Sequence, residues 1–447
     1  MEKLSSRKIL VVGLMLFSLF FGAGNLIIPP YLGQEAGSNL GMALLGFLIT
    51  AVGFPILGIV SVAKTDGLNN LAGRVNDKFA YVYTILVYLS IGPLLGIPRA
   101  GSLPYEMVVA PFMGSLNINH RLALLIFTLV FFAAAYWLAL TPSKLVDRMG
   151  KILTPILICL MLMIFLGKFI RPFGSLASPS EDYLDLPFVK GFLEGYLTMD
   201  TISALNFGLV ISVVIRQMGI AKKEDIVSNI VKAGLIAGGL LVAIYGMLSY
   251  LGALSAGLYG TTANGAETLT NVVRHTFGLP GIALLALTFT LACLTTAVGL
   301  ISSCSQYFTT VIEGLTYRRS VQIFVLWSLL VSNLGLSTIL KISVPILNAI
   351  YPISLALIIL SVFEGLKDKT YVYRTSILFT GIVSVLEALH LTLSGIGLRL
   401  ELLDYLFQEL LPFGRQGLGW IVPGLLGFSL GLLLDNLRKT KKTLERV

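Results

Sequence analysis

The sequence predicts an all-α polytopic membrane protein with about twelve transmembrane helices. Three observations lead to this fold class. Of the 447 residues, 56% are hydrophobic and 12% are charged, whereas about a quarter of the residues in a soluble globular domain are charged. Apolar runs of about 20 residues, the length that crosses a bilayer as a helix, recur along the whole chain. Lysine and arginine are concentrated in every second connection between these runs.

The apolar runs give the predicted spans in order. In hydrocarbon each span has to satisfy its own backbone hydrogen bonds, and runs of this length favour helices over the short alternating strands of a barrel. The third run has a Gly/Pro-rich end, beyond which a continuation to about residue 112 is left open. The twelve predicted spans are 9–33, 40–63, 79–98, 119–140, 150–168, 189–215, 229–254, 279–312, 320–336, 339–363, 374–396 and 417–435.

The basic residues predict the orientation. With the N-terminus inside, the cytoplasmic segments carry 23 of the 32 Lys and Arg residues and the external segments carry nine. This is the bias of the positive-inside rule, and an even number of spans places both termini in the cytoplasm. We therefore expect a multi-pass protein of a bacterial inner (cell) membrane. The net charge of +9 is explained by orientation, so no nucleic acid partner is expected, and no obligate protein partner is inferred.

The first span has an interior that a simple anchor does not need. It contains Gly22-Ala23-Gly24-Asn25, followed by Pro29-Pro30. Glycines and an amide in mid-span weaken the helix, and unwinding would expose N–H groups that suit a carboxylate. Close helix packing through small residues explains the same pattern equally well.

The sixth span carries a carboxylate in an apolar setting. Asp200 follows Gly195-Tyr196-Leu197-Thr198-Met199, and a charge at mid-bilayer is costly unless it is paired, protonated or hydrated. Asp200 is therefore a candidate for ion coupling, with a buried ion pair or a helix cap as the alternative. Glu194 is a second candidate, for which ordinary solvation near the outer surface is the simpler interpretation. Interruptions in the first and sixth spans are what two inverted five-helix repeats would produce.

Three further features each have two interpretations. The eighth span carries the adjacent hydroxyls of Thr295 and Thr296, which offer oxygen ligands to a cation or bond back to their own helix. Arg99 and Glu106 are candidates for an external gate, although Arg99 could equally mark a helix end at the headgroups. Glu387 and His390 share one face of the eleventh span and could relay protons or form a contact within the helix.

Taken together, these motifs resemble the branched-chain amino acid:cation symporter family, whose members are transport system II carrier proteins. The resemblance covers the whole chain. It is carried by three segments, which are Phe21-Gly22-Ala23-Gly24-Asn25 with Pro29-Pro30, the run from Gly92-Pro93 to Pro98-Arg99, and Gly195 to Asp200. It implies import of leucine, isoleucine or valine with a cation, sodium or alternatively protons, and no other cofactor.

The resemblance also implies a LeuT-type fold and a set of site residues. The 5+5 inverted repeat would comprise residues 1–170 and 189–363, followed by two extra helices in 374–435 and a basic cytoplasmic tail in 436–447. The substrate would be held by the Ala23 and Gly24 amides and lined by Tyr196, Leu197, Thr198 and Met199, with Asn25 bracing the break or supporting a second cation. Sodium would be bound by the carbonyls of Ser18, Phe21 and Ala292 and the hydroxyls of Thr295 and Thr296.

Other classes of function fit the sequence less well. A channel would show a repeated filter or a ring of charge, and an intramembrane enzyme would need a nucleophile–base pair or a metal cluster. The sequence shows neither pattern; its three histidines, for example, are scattered. The predicted protein is therefore not an enzyme but a secondary transporter that works by alternating access, with a proton-coupled symporter or an amino acid exchanger as the alternatives.

Overall fold

The computed structural model describes residues 4–110, 119–141, 144, 146–172 and 174–444. Every regular element in this part of the chain is helical, which confirms the predicted all-α class. The α-helices are α1 Ser6–Phe20, α2 Ala23–Ala36, α3 Leu40–Leu48, α4 Phe54–Thr65, α5 Leu68–Gly73, α6 Asp77–Leu89, α7 Gly96–Val108, α8 His120–Ala139, α9 Thr154–Ile170, α10 Pro187–Glu194, α11 Asp200–Gln217, α12 Lys223–Tyr259, α13 Gly265–Phe277, α14 Leu279–Val311, α15 Tyr317–Ser332, α16 Leu336–Val362, α17 Thr370–Gly395, α18 Glu401–Tyr405 and α19 Ile421–Leu444.

The number of spans is consistent with the prediction. Among the described residues, nine helices are long and apolar enough to cross a membrane, and the bent pair formed by α10 and α11 makes ten. Two further predicted spans involve shorter helices. The first span begins in α1, which has 15 residues, and the ninth lies in α15, which has 16. The count of twelve itself stays a prediction.

Two segments differ from the expected boundaries. The third span does not end at residue 98, because helical structure continues through a π-turn at Ser90–Leu94 into α7, with non-helical dihedral angles at Gly92. The second difference is α13, which no span predicted. Asn264 caps this helix by accepting from the N–H groups of Ala266 and Glu267, and the helix is amphipathic rather than continuously apolar.

The chain divides into two compact units, of which the first comprises Met1–Ile59 and Leu89–Leu340. Backbone contacts between helices in this unit require glycine. A Cβ built on Gly252 of α12 would lie 1.9 Å from the Pro30 carbonyl oxygen of α2, and one built on Gly191 of α10 would lie 1.9 Å from the Ala43 carbonyl oxygen of α3. The α2 half of the first interrupted span and the α10 half of the second are thus packed tightly against a partner helix.

The second unit comprises Val60–Tyr88 and Lys341–Val447. Its tightest pairing joins α17 to α19, where a Cβ on Gly427 would lie 2.5 Å from the Thr375 carbonyl oxygen and one on Gly431 would lie 2.5 Å from the Val372 Cα. The spacing Gly427/Gly431 therefore acts as a small-residue packing signal. The boundaries of the inverted repeats stay predictions, and residues 445–447 of the basic tail lie outside the described residues.

Candidate functional site

The first interruption lies between α1 and α2. Gly22 has extended dihedral angles, φ −120° and ψ −154°, and separates Phe20, the last residue of α1, from Ala23, the first residue of α2. The Gly22 N–H donates to Asn25 Oδ1 at 3.0 Å, so the side chain of Asn25 caps the helix in which it lies. The first N–H groups of α2 have no partner within the helix, and they form the positive end of its dipole.

The second interruption separates α10 from α11. The chain forms a 3₁₀ turn over Gly195–Thr198, and Met199 then adopts a left-handed conformation with φ 65°. The chain changes direction by 46° between the two helices. The Thr198 hydroxyl donates to the Gly195 carbonyl at 2.8 Å, and the Asp200 N–H donates to that hydroxyl at 3.4 Å. Both interruptions predicted from the sequence are therefore present.

A buried polar cluster joins the two interruptions. Asn25 Nδ2 donates to Asp200 Oδ2 at 2.5 Å, and the Tyr245 hydroxyl of α12 donates to the same oxygen at 3.1 Å. Asn25 Nδ2 also contacts the Tyr245 hydroxyl. All three residues are at most 2% exposed. The carboxylate of Asp200 is thus held by neutral donors from the first interrupted span and from α12, which satisfies part of its hydrogen-bonding capacity away from water.

Arg99 also lies between the two interruptions. Its Nη1 donates to the Leu197 carbonyl at 3.1 Å, and its Nη2 lies 3.3 Å from a Cβ built on Gly24. The residue is 8% exposed, and its Nε has no hydrogen-bond partner in the described part of the chain. Arg99 lies in the first turn of α7, which begins at Gly96 and runs on to Val108.

These groups surround one cavity in the first unit, with a free volume of about 30 Å³. This volume accommodates a water molecule or two, so an amino acid would have to move the lining side chains apart. Of the predicted substrate residues, Ala23, Gly24, Asn25, Thr198 and Met199 line the cavity, together with Arg99 and Asp200. The remaining lining residues are Phe20, Gly22, Ile91, Gly96, Ala100, Ser203, Thr296 and Leu300.

The residues predicted to hold sodium have different surroundings. The Thr295 hydroxyl donates back to the Ala292 carbonyl at 2.9 Å, and the Ser18 hydroxyl donates to Met15 in its own helix. The hydroxyl of Thr296 is buried without a hydrogen-bond partner among the described residues, and its Oγ1 lies 2.7 Å from a Cβ built on Gly22. Thr296 therefore directs an unsatisfied oxygen at the first interruption.

Other predicted site residues lie apart from this cavity. The Glu194 carboxylate is 3.9 Å from the Lys190 Nζ, and the same Nζ forms an ion pair with the Asp182 carboxylate at 2.8 Å. The Glu106 carboxylate is 3.9 Å from the His120 Nε2.

Tyr196 is buried and packs its ring against Phe192, and the Leu197 carbonyl accepts a hydrogen bond from Arg99. In the second unit, His390 is 3.5 Å from Asp404, and the part of the chain that the structure describes shows no ion pair between His390 and Glu387.

Tyr245 is the one member of this polar cluster that the sequence did not indicate. It stands in the middle of an apolar span, and a buried tyrosine hydroxyl usually has a hydrogen-bond partner. That position was the one available signal, because nothing in the sequence connects α12 with Asp200, 45 residues earlier.

A bundle of apolar helices in which two spans are broken around one buried polar cavity is the architecture of a secondary membrane transporter. Residues 5–438 match the family of branched-chain amino acid transport proteins, and the chain belongs to this family. This confirms the predicted resemblance. It also places the protein among membrane transport proteins and not among enzymes.

Relatives of the chain match along nearly their full length. The branched-chain amino acid permease BraB of Bacillus subtilis is 42% identical over 448 residues, covering 100% of this chain and 99% of the relative. The branched-chain amino acid transport system 2 carrier protein of Pseudomonas aeruginosa is 40% identical, with 98% of each chain covered. The permease BrnQ of Escherichia coli K12 is 37% identical, with 97% of each chain covered.

Solved structures support the fold. MHP1, a nucleobase-cation-symport-1 family transporter in a closed conformation with bromovinylhydantoin bound, superposes with a TM-score of 0.58 at 13% identity, covering 97% of this chain and 93% of MHP1. MhsT in complex with L-phenylalanine also gives a TM-score of 0.58, at 16% identity, covering 88% of this chain and 100% of MhsT. The predicted LeuT-like fold class is therefore confirmed.

Proposed function

We propose that this protein imports leucine, isoleucine and valine together with a cation, sodium in the first instance, by alternating access. The names of its relatives, which include branched-chain amino acid permeases and carrier proteins, support the substrate class. The distribution of Lys and Arg supports a bacterial inner-membrane location with both termini in the cytoplasm.

The observation that carries this proposal is the pair of opposite charges in one buried cavity. Arg99 and Asp200 both line it, and an α-amino acid is a zwitterion whose two charged groups each need a counter-charge when they leave water. Aliphatic side chains need an apolar wall with few polar groups, and Phe20, Ile91 and Leu300 supply such a wall in the same cavity. One site thus offers both counter-charges and an apolar surface.

The substrate carboxylate is assigned to the α2 end of the cavity. Two positive features converge there, namely the first N–H groups of α2, at Ala23 and Gly24, and the guanidinium of Arg99. A helix N-terminus favours an anion, and a guanidinium can bind a carboxylate through two parallel hydrogen bonds. Arg99 Nε, which lacks a partner among the described residues, is available for such a bond.

The substrate ammonium is assigned to Asp200. Asn25 and Tyr245 hold one oxygen of this carboxylate, which fixes its orientation and offsets part of its burial. Since the same Asn25 side chain caps α2, the ammonium and carboxylate ends of the site are connected through a single residue. Binding of the zwitterion would therefore draw the two interrupted spans into one arrangement.

The cation is assigned to the oxygen atoms between α1 and α14. The Ser18, Phe21 and Ala292 carbonyls and the Thr295 and Thr296 hydroxyls are hard oxygen ligands, and the partnerless Thr296 hydroxyl supports this assignment. A bound cation near the substrate carboxylate would tighten binding of both ligands reciprocally. If one net charge enters per cycle, a membrane potential of 100 mV contributes about 2.3 kcal/mol.

The test is leucine uptake into proteoliposomes, with sodium and proton gradients imposed separately. We expect uptake to require inward sodium. Thr296→Val should raise the half-saturating sodium concentration about tenfold, since it removes one ligand oxygen. The matched control is Thr290→Val on the same helix, where the hydroxyl only bonds back to Ala286.

Other outcomes would change the assignment in defined ways. Uptake driven by a proton gradient without sodium would move the coupling to Asp200, whose carboxylate is buried at the site. Uptake that needs only substrate on the opposite side would indicate an exchanger. Absence of uptake of any branched-chain amino acid by folded protein would refute the substrate class.

A further inference from the structure

The second unit contains an exposed apolar groove that the transport site does not use. It has a volume of about 640 Å³ and is formed by α6, α16 and α17, with Phe79 and Ile353 in its wall. One row of α17 side chains lines it and faces outward, because Leu378 is 57% exposed, Ile382 is 52% exposed and Val385 is 55% exposed. We call it the Arg374 groove.

Among the described residues, a single cationic side chain lines this groove. Arg374 is exposed, and its Nε donates to the Val75 carbonyl at 2.8 Å, which fixes the plane of the guanidinium. Within the described part of the chain, no carboxylate lies at ion-pair distance from Arg374. Asn76 lies at the same end of the groove, and its Oδ1 is used as the acceptor for the Phe79 N–H, which leaves its Nδ2 as a donor.

The length of the groove matches one leaflet of a bilayer. Arg374 lies one turn after the start of α17, and Val385 is eleven residues further on. At 1.5 Å per residue this distance is about 16 Å, and half of a hydrocarbon core of about 30 Å is about 15 Å. A lipid whose phosphate is level with Arg374 would therefore lay its acyl chain along the row of exposed aliphatic residues down to mid-membrane.

We propose that the Arg374 groove binds an anionic phospholipid, with its phosphate on Arg374 and Asn76 and one acyl chain along α17. A guanidinium held in one plane suits two parallel hydrogen bonds to a phosphate. Asp77 and Lys78 follow Asn76 and are both exposed, so their opposite charges offset one another. The positive charge of Arg374 therefore remains at this end of the groove. A second copy of the chain is less suited, because an apolar helix packed here would bury Arg374 without a counter-charge.

The experiment is native mass spectrometry of the purified full-length protein titrated with phosphatidylglycerol and, separately, with phosphatidylcholine of the same acyl chains. The unaltered protein should retain phosphatidylglycerol about tenfold more tightly, as expected for charge-assisted hydrogen bonds. Arg374→Gln should reduce binding of phosphatidylglycerol to the level of phosphatidylcholine. Arg399→Gln, at another exposed arginine of the second unit, should leave the preference unchanged.

A second variant tests the acyl part of the site. A Cβ on Gly381 would lie 3.6 Å from the Ile353 side chain, so Gly381→Ala should fold normally and bind normally. Gly381→Leu would fill the groove and should weaken binding of both lipids, with thermal unfolding as the check on folding.

Three results would overturn the proposal. The first is equal retention of the two lipids by the unaltered protein, and the second is an undiminished preference in Arg374→Gln. The third is efficient cross-linking between copies carrying Val385→Cys in nanodiscs, which would assign the groove to a second copy of the chain. None of these results depends on transport, so the lipid site and the proposed function stand or fail separately.

Discussion

The two interrupted spans are broken in different ways. At the first, the chain straightens at Gly22, and the break is capped from within, by Asn25 three residues later. At the second, the chain turns through a 3₁₀ segment and a left-handed Met199, and the Leu197 carbonyl is satisfied by Arg99 from another helix. The first break is thus capped within its own span, whereas the second combines local bonds through the Thr198 hydroxyl with a bond from Arg99 on another helix.

This difference has a consequence for both prediction and mutation. The cap of the first break joins residues three positions apart, so a short sequence pattern can indicate it. The second break also contacts Arg99 through the Leu197 carbonyl, and Asn25 and Tyr245 through Asp200, so its geometry is linked to the ligand groups. Substitutions at the second break should therefore affect transport more than those at the first, and the following experiments test this ordering.

The largest effect is expected for Asp200→Asn. The substitution keeps the shape of the side chain but removes the counter-charge assigned to the substrate ammonium, and leaving a buried charge unpaired costs about 3–5 kcal/mol. Leucine uptake into proteoliposomes should fall more than a hundredfold, while thermal unfolding shows a folded protein. Uptake within twofold of the unaltered protein would refute the assignment of Asp200.

The next effect is expected for Arg99→Gln. Loss of a charged hydrogen-bond donor to the carboxylate should cost about 1.5–3 kcal/mol, seen as a KM for leucine raised at least tenfold. Arg99→Lys should restore only part of the affinity, because lysine keeps the charge but not the two-pronged geometry. If the KM is unchanged in both variants while access from the outside is altered, Arg99 acts as the external gate suggested by its sequence context.

A smaller effect is expected where the two breaks touch. A Cβ on Gly24 would lie 3.1 Å from the Thr198 Cα, and overpacking of this kind typically costs about 1–3 kcal/mol. Gly24→Ala should therefore lower the initial rate of uptake about tenfold by separating the breaks. Gly239→Ala on α12, which has nothing within 4 Å of the new atom, is the matched control and should behave as unaltered protein.

The smallest effect is a reversal of the usual ranking of glycine and alanine. Met199 has φ 65°, a conformation that costs a residue with a Cβ about 1–2 kcal/mol. Met199→Gly should therefore unfold at a higher temperature than Met199→Ala. At Met163, in the interior of α9, alanine should be the more stable of the two by about 1 kcal/mol. The same ranking at both positions would show that the second break is not strained.

The same comparison explains what the sequence could predict. Gly22 and Asn25 act within four residues of each other, so their pattern predicted the first break, and the glycine and carboxylate of the sixth span located the second. The sequence left Arg99 open between an external gate and a helix end, because it could not show that a π-turn carries the chain past Pro93 into α7. The sequence did not indicate Tyr245, because its contact with Asp200 is tertiary. It did not indicate α13 either, because an amphipathic helix has no continuous apolar run.

The glycine contacts of α2 and α10, next to the two breaks, have a mechanical consequence. Gly252 brings α12 against α2 at backbone distance, and Gly191 does the same for α10 and α3, so neither pair can slide without separating main chains. If these halves rotate during transport, we expect Gly22 and Met199 to act as the hinges, with α2 and α10 each moving together with its partner helix. The stiffness of these two helix pairs would then set how far a displacement of a few ångströms at the ligand is carried along them.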